Sequence, residues 1–408
     1  MNLALTTISI FFWLLLLYYS ILTVAGIIYR GQKRPHTPLD HYPSVSILIP
    51  AHNEAVVISD TLYAMTKIKY PGRLDIYLLN DNSQDETGNI ASFYEEAFDY
   101  IHHIEVPPGT PKGKSRVLNY GISISQSDYV CVYDADNQPE PGALQLLVEA
   151  AETTPEAIGA VGYVKTINER TNFLTRMIAL EFSSFQLIMQ SGRWKLFKLG
   201  SLTGTNVVIR RKALLNAGGF DPYALAEDAD LTLTLTQNGG LLPIVPEART
   251  WEQEPENLRV WIKQRTRWMQ GNLYLIEKTL KEPKFFKGRN FIHSAQLLII
   301  YIGFVSFLLV SDTWFVLGLF GKMKSDTAVP LMTIWFESWL IYFIQLSASQ
   351  VIEKRMKLSD LVVSFLMYFT YAQLWVLLLA RGVYFQIKLK RSKKEPMWDK
   401  TVRFKKSA

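Results

Sequence analysis

Hydrophobic positions along the chain fall into three regimes. Residues 1–29 carry no charged side chain, and the run ISIFFWLLLLYYSILTVAGII is apolar throughout rather than on one face. At about 1.5 Å per residue it is long enough to cross a hydrocarbon core of about 30 Å. It predicts a spanning helix rather than a cleaved signal peptide, because the apolar run is too long for one and no Lys or Arg precedes it. From residue 43 to about 255 the pattern changes to short β-branched runs alternating with helical stretches. Apolar runs return at 291–321, 327–352 and 359–387, each long enough to span.

The middle region predicts strands at Val45–Pro50, Leu74–Asn80, His103–Val106, Tyr129–Tyr133 and Gly204–Arg210. Helices are expected at Glu54–Ile68, Gln84–Phe98, Ser115–Ser125 and Gly142–Glu152. Short apolar strands alternating with helices imply an α/β domain with a mostly parallel sheet, covered on both faces. Ligands in such sheets bind beyond the carboxyl ends of the strands. The loops there are polar and acidic: His52-Asn53-Glu54, Asn80-Asp81-Asn82-Ser83-Gln84-Asp85 and Asp134-Ala135-Asp136-Asn137. Carboxylates gathered on one rim are costly unless a cation neutralises them, and oxygen-only ligands suit Mg²⁺ or Mn²⁺. Asp and Asn also end strands and start turns, so Asp-x-Asp alone is a weak signal. A second one occurs at Asp228 and Asp230.

Charge sharpens the organisation. The 408 residues have a net charge of +6, yet residues 387–408 hold nine Lys/Arg and two acids, which leaves the rest of the chain near neutral. A basic tail on a neutral body does not describe a nucleic-acid binder. It suits the inner surface of an anionic membrane. One cysteine, Cys131, excludes an intrachain disulfide and Cys-based metal frameworks. Arg30, Lys33 and Arg34 follow the first apolar run, which puts residue 30 onward in the cytoplasm. The 353–357 loop and the tail share that bias. Three C-terminal crossings would leave the tail outside, so the last apolar stretch is expected to fold back as a re-entrant or interfacial hairpin. Glu337 and Asp312 lie within or beside these segments, where acids face protein or a polar pathway, and a helix end at the interface explains Asp312 equally well. Residues 171–199 are rich in large apolar side chains and fit a membrane-face helix or a buried core helix equally.

The most specific pattern is Gln264-x-x-Arg267-Trp268, on a helix expected over 257–280. Positions i, i+3 and i+4 share a face. A planar guanidinium suits diphosphate oxygens, and an indole offers a plate for a sugar ring. Upstream, Glu227, Asp228 and Asp230 open another helix after a Gly-Gly-Phe-Asp-Pro turn at 218–222.

With these motifs in hand, the chain resembles the membrane-integrated inverting glycosyltransferases of family 2, the group of cellulose, hyaluronan and poly-N-acetylglucosamine synthases. The resemblance covers nearly the whole chain. It implies a GT-A (Rossmann-like) domain at 30–290, a transmembrane helix at 1–29, transmembrane segments at 291–387 and a basic cytoplasmic tail at 388–408. It also implies nucleotide-sugar contacts at Glu54, Asp81, Lys114 and Asp134. Metal would sit on Asp136 with Asp134, the general base would be Asp228, and Gln264, Arg267 and Trp268 would serve acceptor and diphosphate. One departure stands out: many members end the second strand in two acids, whereas the first position here is Asn80.

The expected function is metal-dependent, inverting transfer from a nucleotide sugar, UDP-linked in view of the family's usual donor, to a growing polysaccharide, with Mg²⁺ or Mn²⁺ as cofactor. Expected partners are the nucleotide-sugar donor, a polysaccharide or lipid acceptor, membrane lipids and an export partner of unspecified kind, without nucleic acid. The protein is expected in the plasma membrane with its catalytic domain in the cytoplasm. Single addition to a glycolipid and a catalytically silent scaffold or transporter subunit are the alternatives.

Overall fold

In the strand Val45–Ala51 (β1), Val45, Ile47, Leu48 and Ile49 are all fully buried, so both faces of this strand are covered. A central position in a sheet is what such a pattern requires. The computed structural model describes residues 3–32, 37–288, 290–299, 325–392, several positions between 309 and 322, and Arg403. Lys33, Arg34, Asp312, most of the 300–321 stretch and most of the basic tail lie outside the described residues.

Eight strands form one sheet: β1, β2 (Leu74–Asn80), β3 (Ile101–Glu105), β4 (Tyr129–Val132), β5 (Gln138–Pro139), β6 (Gly159–Thr166), β7 (Val207–Arg210) and β8 (Ile244–Glu252). Their order is β3-β2-β1-β4-β7-β6-β8-β5. The half from β3 to β4 is parallel, with Ile47 registered between Ile76 and Cys131. Beyond β4 the sheet is mixed: β7 runs antiparallel to both β4 and β6, while β6 and β8 pair in parallel. The expected mostly parallel sheet is therefore corrected in its second half, where β7 returns against its neighbours.

Helices α2 (Ile58–Met65), α3 (Thr87–Ala97), α4 (Lys114–Ile124) and α5 (Ala143–Thr153) cover the faces of the sheet. The first starts four residues later than expected because Glu54–Val57 forms a turn whose Glu54 carbonyl accepts from the amides of Val57 and Ile58. The core divides into one cluster around Ile47, Ile49 and Tyr133 and another around Leu48, Val130 and Trp194, as the alternation of strand side chains demands.

Residues 171–199 form α6 (Phe173–Ser183), a π-helical turn at Ser184–Gln190, and α7 (Ser191–Phe197). This segment packs against the N-terminal helix α1 (Leu3–Gly31) at very close range. A Cβ on Gly26 would lie 2.2 Å from the Ile188 carbonyl oxygen, and one on Gly192 would lie 2.2 Å from that of Leu22. Only glycine allows the two backbones to approach this closely. Helices α8 (Arg211–Ala217), α9 (Glu227–Gln237) and α10 (Leu258–Lys281) follow, then α11 (Asn290–Leu298), α12 (Ser325–Ile352), α13 (Leu358–Met367) and α14 (Leu374–Ser392).

Among the described residues one helix, over Thr6–Gly31, is long and apolar enough to cross a membrane. The apolar stretch at 359–387 is divided: α13 ends at Met367 and α14 begins at Leu374. Asp360, at the start of α13, receives two 3.1 Å hydrogen bonds from Arg170, and Arg176 Nε donates to it at 2.6 Å. Arg355 pairs with Glu169. On α14, Arg381 Nε donates to Thr266 Oγ1 at 3.2 Å. Both arms of this broken stretch thus contact the α/β domain.

Candidate active site

Loops from the carboxyl ends of β1, β2 and β4 converge with the starts of α4 and α9 and the face of α10. They enclose a cavity of about 1010 Å³. Glu54, Asp81, Lys114, Asp134, Asp228, Gln264, Arg267 and Trp268 all line it. Asp136 does not. It lies 3 % exposed behind the wall, and Arg403 covers it.

Lys114 opens α4 and is the hub of the floor. Its Nζ lies 2.6 Å from Asp134 Oδ1 and 3.4 Å from Glu227 Oε1, and it donates to the Gly204 carbonyl at 2.8 Å. Burial works against its charge, yet Asp134, Glu227 and Asp228 together hold it above its ordinary value. Gly204 sits with φ +78, and a Cβ there would lie 3.6 Å from Asp228 Oδ2 and 3.7 Å from Lys114 Nζ. A side chain at this position would crowd the space between cation and carboxylate.

Asp228 stands in the first turn of α9. Burial first, and the neighbouring Glu227 second, push its carboxyl up to about 7. Asp230, the other half of that Asp-x-Asp, turns away and pairs with Lys278 at 2.6 Å. Lys278 also holds Asp221 at 3.3 Å, so Asp230 belongs to the packing of α9 on α10.

The β2 end carries Asp81, paired with Arg116. His52 Nδ1 lies 2.6 Å from the Asp81 carbonyl, which ties the β1 and β2 loops together. Asn80, where many members of the family carry an acid, donates from Nδ2 to Glu105 Oε1 at 2.7 Å and so faces the neighbouring strand.

On α10, helical spacing puts Gln264, Arg267 and Trp268 on the cavity. Gln264 Oε1 is buried without a hydrogen-bond partner among the described residues. Burial lowers Arg267, against the pull of Glu227, Asp134 and Asp228. Trp268 stacks on Phe182, with ring centroids 6.1 Å apart, and the Arg265 guanidinium lies 3.9 Å from its ring centre. Arg265 is 1 % exposed and pairs with Glu181 at 2.8 Å, which fixes the indole from behind.

Three groups escaped sequence reasoning. Glu252 and Glu254, at the end of β8, join Asp136 in a buried acidic layer. Burial and Glu254 raise Glu252 well above the carboxylate range, and burial raises Glu254 to about 7. Arg403 neutralises that layer, with Nη1 at 2.9 Å from Asp136 Oδ2 and Nη2 at 3.0 Å from Oδ1. Its Nη1 also donates to the Gln253 carbonyl at 3.0 Å. The acids at positions 252 and 254 follow strand alternation, a signal available in the sequence. Nothing local marks Arg403 among nine basic residues.

Among the described residues no group of three or more His, Cys, Asp or Glu side chains is arranged to hold a metal alone. The donor chemistry nevertheless fits a hard cation. Mg²⁺ and Mn²⁺ sites of this class use one or two carboxylates and take their remaining ligands from substrate phosphates and water. Asp134 and Asp136 would supply that pair, and Asp136 already pairs with one positive group, the Arg403 guanidinium.

The family described as "Glycosyltransferase like family 2" matches residues 43–271. A probable glycosyltransferase of Bacillus subtilis (strain 168), YdaM, is 38% identical over 401 residues, which cover 96% of each chain. The poly-beta-1,6-N-acetyl-D-glucosamine synthase of Staphylococcus aureus (strain COL) is 26% identical over 261 residues, 63% of this chain and 62% of that one. A mannosyltransferase from Pyrobaculum calidifontis, in complex with GDP-Man and Mn2+, superimposes with a TM-score of 0.56 at 16% identity, covering 90% of this chain and 99% of its own. That likeness is one of fold.

Proposed function

The chain belongs to glycosyltransferase family 2, and from that premise we propose that it adds sugars from a UDP-linked donor to a growing polysaccharide at the membrane, with Mg²⁺ or Mn²⁺ as cofactor. It is a glycosyltransferase with a nucleotide-sugar donor, which replaces the alternative of a silent scaffold. The observation that carries the transfer chemistry is the arrangement around Gly204: a cation, Lys114, and a carboxylate of raised affinity for protons, Asp228, face one small space.

Transfer requires a base on one side and charge stabilisation on the other. The acceptor hydroxyl gives its proton to Asp228 as its oxygen bonds to the anomeric carbon. The bond from that carbon to the diphosphate breaks, and its electron pair leaves on the phosphate oxygen. A single displacement of this kind inverts the anomeric centre. Lys114 and Arg267 face the leaving diphosphate and stabilise its developing charge. A cation held by Asp136 and Asp134 would supply Lewis-acid stabilisation of the same diphosphate. Glu54 and Asp81 border the nucleoside end, while Gln264 and Trp268 receive the acceptor sugar by hydrogen bond and ring contact.

The processive reading draws support from the polysaccharide synthase relative. Membrane integration draws support from α1 and from its tight backbone contact with the segment flanking the cavity. We read 1–29 as a membrane anchor, 30–290 as the cytoplasmic catalytic domain, 291–387 as further membrane segments and 388–408 as the tail. Contacts of Asp360 and Arg381 with the catalytic domain support a hairpin at 359–387 that enters and leaves on one side. Membranes supplied with labelled UDP-sugars are expected to yield high-molecular-weight polymer. A single small glycolipid would replace polymerisation by single addition, and turnover only with GDP-sugars would overturn the donor.

A further inference from the structure

The cavity wall also includes a polar cluster that the transfer chemistry does not use. Arg193, on α7, is 7 % exposed and forms this corner of the wall with Ser201 and His293. Its Nη1 donates to Ser201 Oγ at 3.3 Å, and its Nη2 lies 3.1 Å from His293 Nδ1. Arg193 Nε has no hydrogen-bond partner, and no carboxylate among the described residues pairs with this guanidinium. It differs in this from two other buried arginines bordering the cavity, since Arg265 has Glu181 and Arg403 has Asp136. A buried guanidinium with no counter-charge is costly, and a bound anion is the ordinary remedy. His293 Nδ1 accepts from Arg193, which leaves its Nε2–H as a second donor.

The surroundings indicate what kind of anion. Gly192, next to Arg193, touches the backbone of α1 at Leu22, so the corner adjoins the apolar N-terminal helix. Phe182, Phe185 and Trp375 add apolar wall. In the other direction, Ser201 is three residues from Gly204, which borders Asp228. Three residues of extended chain span at most about 11 Å. The corner therefore lies within a short reach of the base on one side and beside a bilayer-length helix on the other. Guanidinium forks suit phosphate oxygens.

We propose that this corner is an acceptor-side phosphate subsite, in which Arg193 and His293 bind the phosphate of a membrane lipid whose hydroxyl-bearing end reaches toward Asp228. It is separate from the position proposed above for the donor diphosphate, at Lys114 and Arg267. The inference rests on reading the cavity as the transfer site, and it assigns the first acceptor in that reading: a phosphate-bearing lipid, to which the growing polysaccharide stays attached.

The test is titration calorimetry on the purified full-length protein in dodecyl maltoside, with dodecyl phosphate, inorganic phosphate and UDP–Mn²⁺ as separate ligands. Dodecyl phosphate binds the wild type, and Arg193→Gln weakens it at least tenfold while UDP–Mn²⁺ affinity is unchanged. Arg193→Lys, which keeps the charge but loses the fork, shows a smaller loss. If Arg193→Gln does not fold, Arg193→Lys and His293→Gln carry the test, and wild-type affinity for dodecyl phosphate in both overturns the subsite. No binding of dodecyl phosphate to wild type also overturns it. Inorganic phosphate binding as tightly as dodecyl phosphate overturns the lipid assignment. Failure of UDP–Mn²⁺ to bind wild type refutes the donor reading instead.

Discussion

Arg403 grips both carboxylate oxygens of Asp136, at 2.9 and 3.0 Å, from a point 267 residues further along the chain. The carboxylate proposed to hold a divalent cation is thus already neutralised by Arg403 of the basic tail. Both partners cannot occupy those oxygens together. Arg403→Ala is therefore expected to lower the Mn²⁺ concentration for half-maximal turnover by about tenfold or more, given roughly 1.5–3 kcal/mol for a hydrogen bond to a charged group. A metal titration of nucleoside-diphosphate release checks this. An unchanged midpoint would make the pair purely structural.

The pH profile should report Asp228. Its carboxyl is raised to about 7, chiefly by burial and next by Glu227. The base must be ionised to accept a proton, so kcat should be flat above pH 8 and fall toward tenfold per pH unit well below 7. A profile flat to pH 5 would remove Asp228 from the proton transfer. Glu227→Gln removes the repelling neighbour and should shift the midpoint downward.

Much of this site was legible in the sequence because its parts lie at strand ends and on one helix face. Lys114, Asp134 and Asp228 are far apart in the chain, yet alternation of strands and helices sends each to the same rim. Gln264, Arg267 and Trp268 reach it by helical spacing alone. The second half of the sheet was harder to read. β6 contains Gly159 and Gly162, which read as turn residues, although Gly162 is needed because a Cβ there would lie 2.2 Å from Asn206 Nδ2. Pro246 interrupts β8 in the same way. Arg403 was invisible because a long-range ion pair leaves no periodic trace. Asp136 was legible as an acid at the right strand end, but its position behind Arg403 was not.

Trp268 is held between Phe182 and Arg265. Trp268→Ala should raise the acceptor KM about two- to tenfold, matching roughly 0.5–1.5 kcal/mol of ring contact, and leave UDP affinity unchanged. Equal acceptor KM values in mutant and wild type would remove the indole from the acceptor site.

Topology is also testable. Arg403 reaches into the catalytic cavity, so the tail and the catalytic domain should share one side of the membrane. A cysteine added after Ala408 should react with an impermeant maleimide only in opened cells. The background is low because the sole native thiol, Cys131, is buried. Labelling in intact cells would place the tail outside and contradict the hairpin at 359–387.

The central claim is that Asp228 accepts the acceptor's proton in a site that binds the nucleotide independently. The direct measurement compares Asp228→Asn with wild type in purified membranes, following sugar transfer and UDP–Mn²⁺ binding on the same samples. The account predicts transfer reduced by at least about a hundredfold with UDP–Mn²⁺ affinity near that of the wild type. Near-normal turnover by the Asn variant would contradict it.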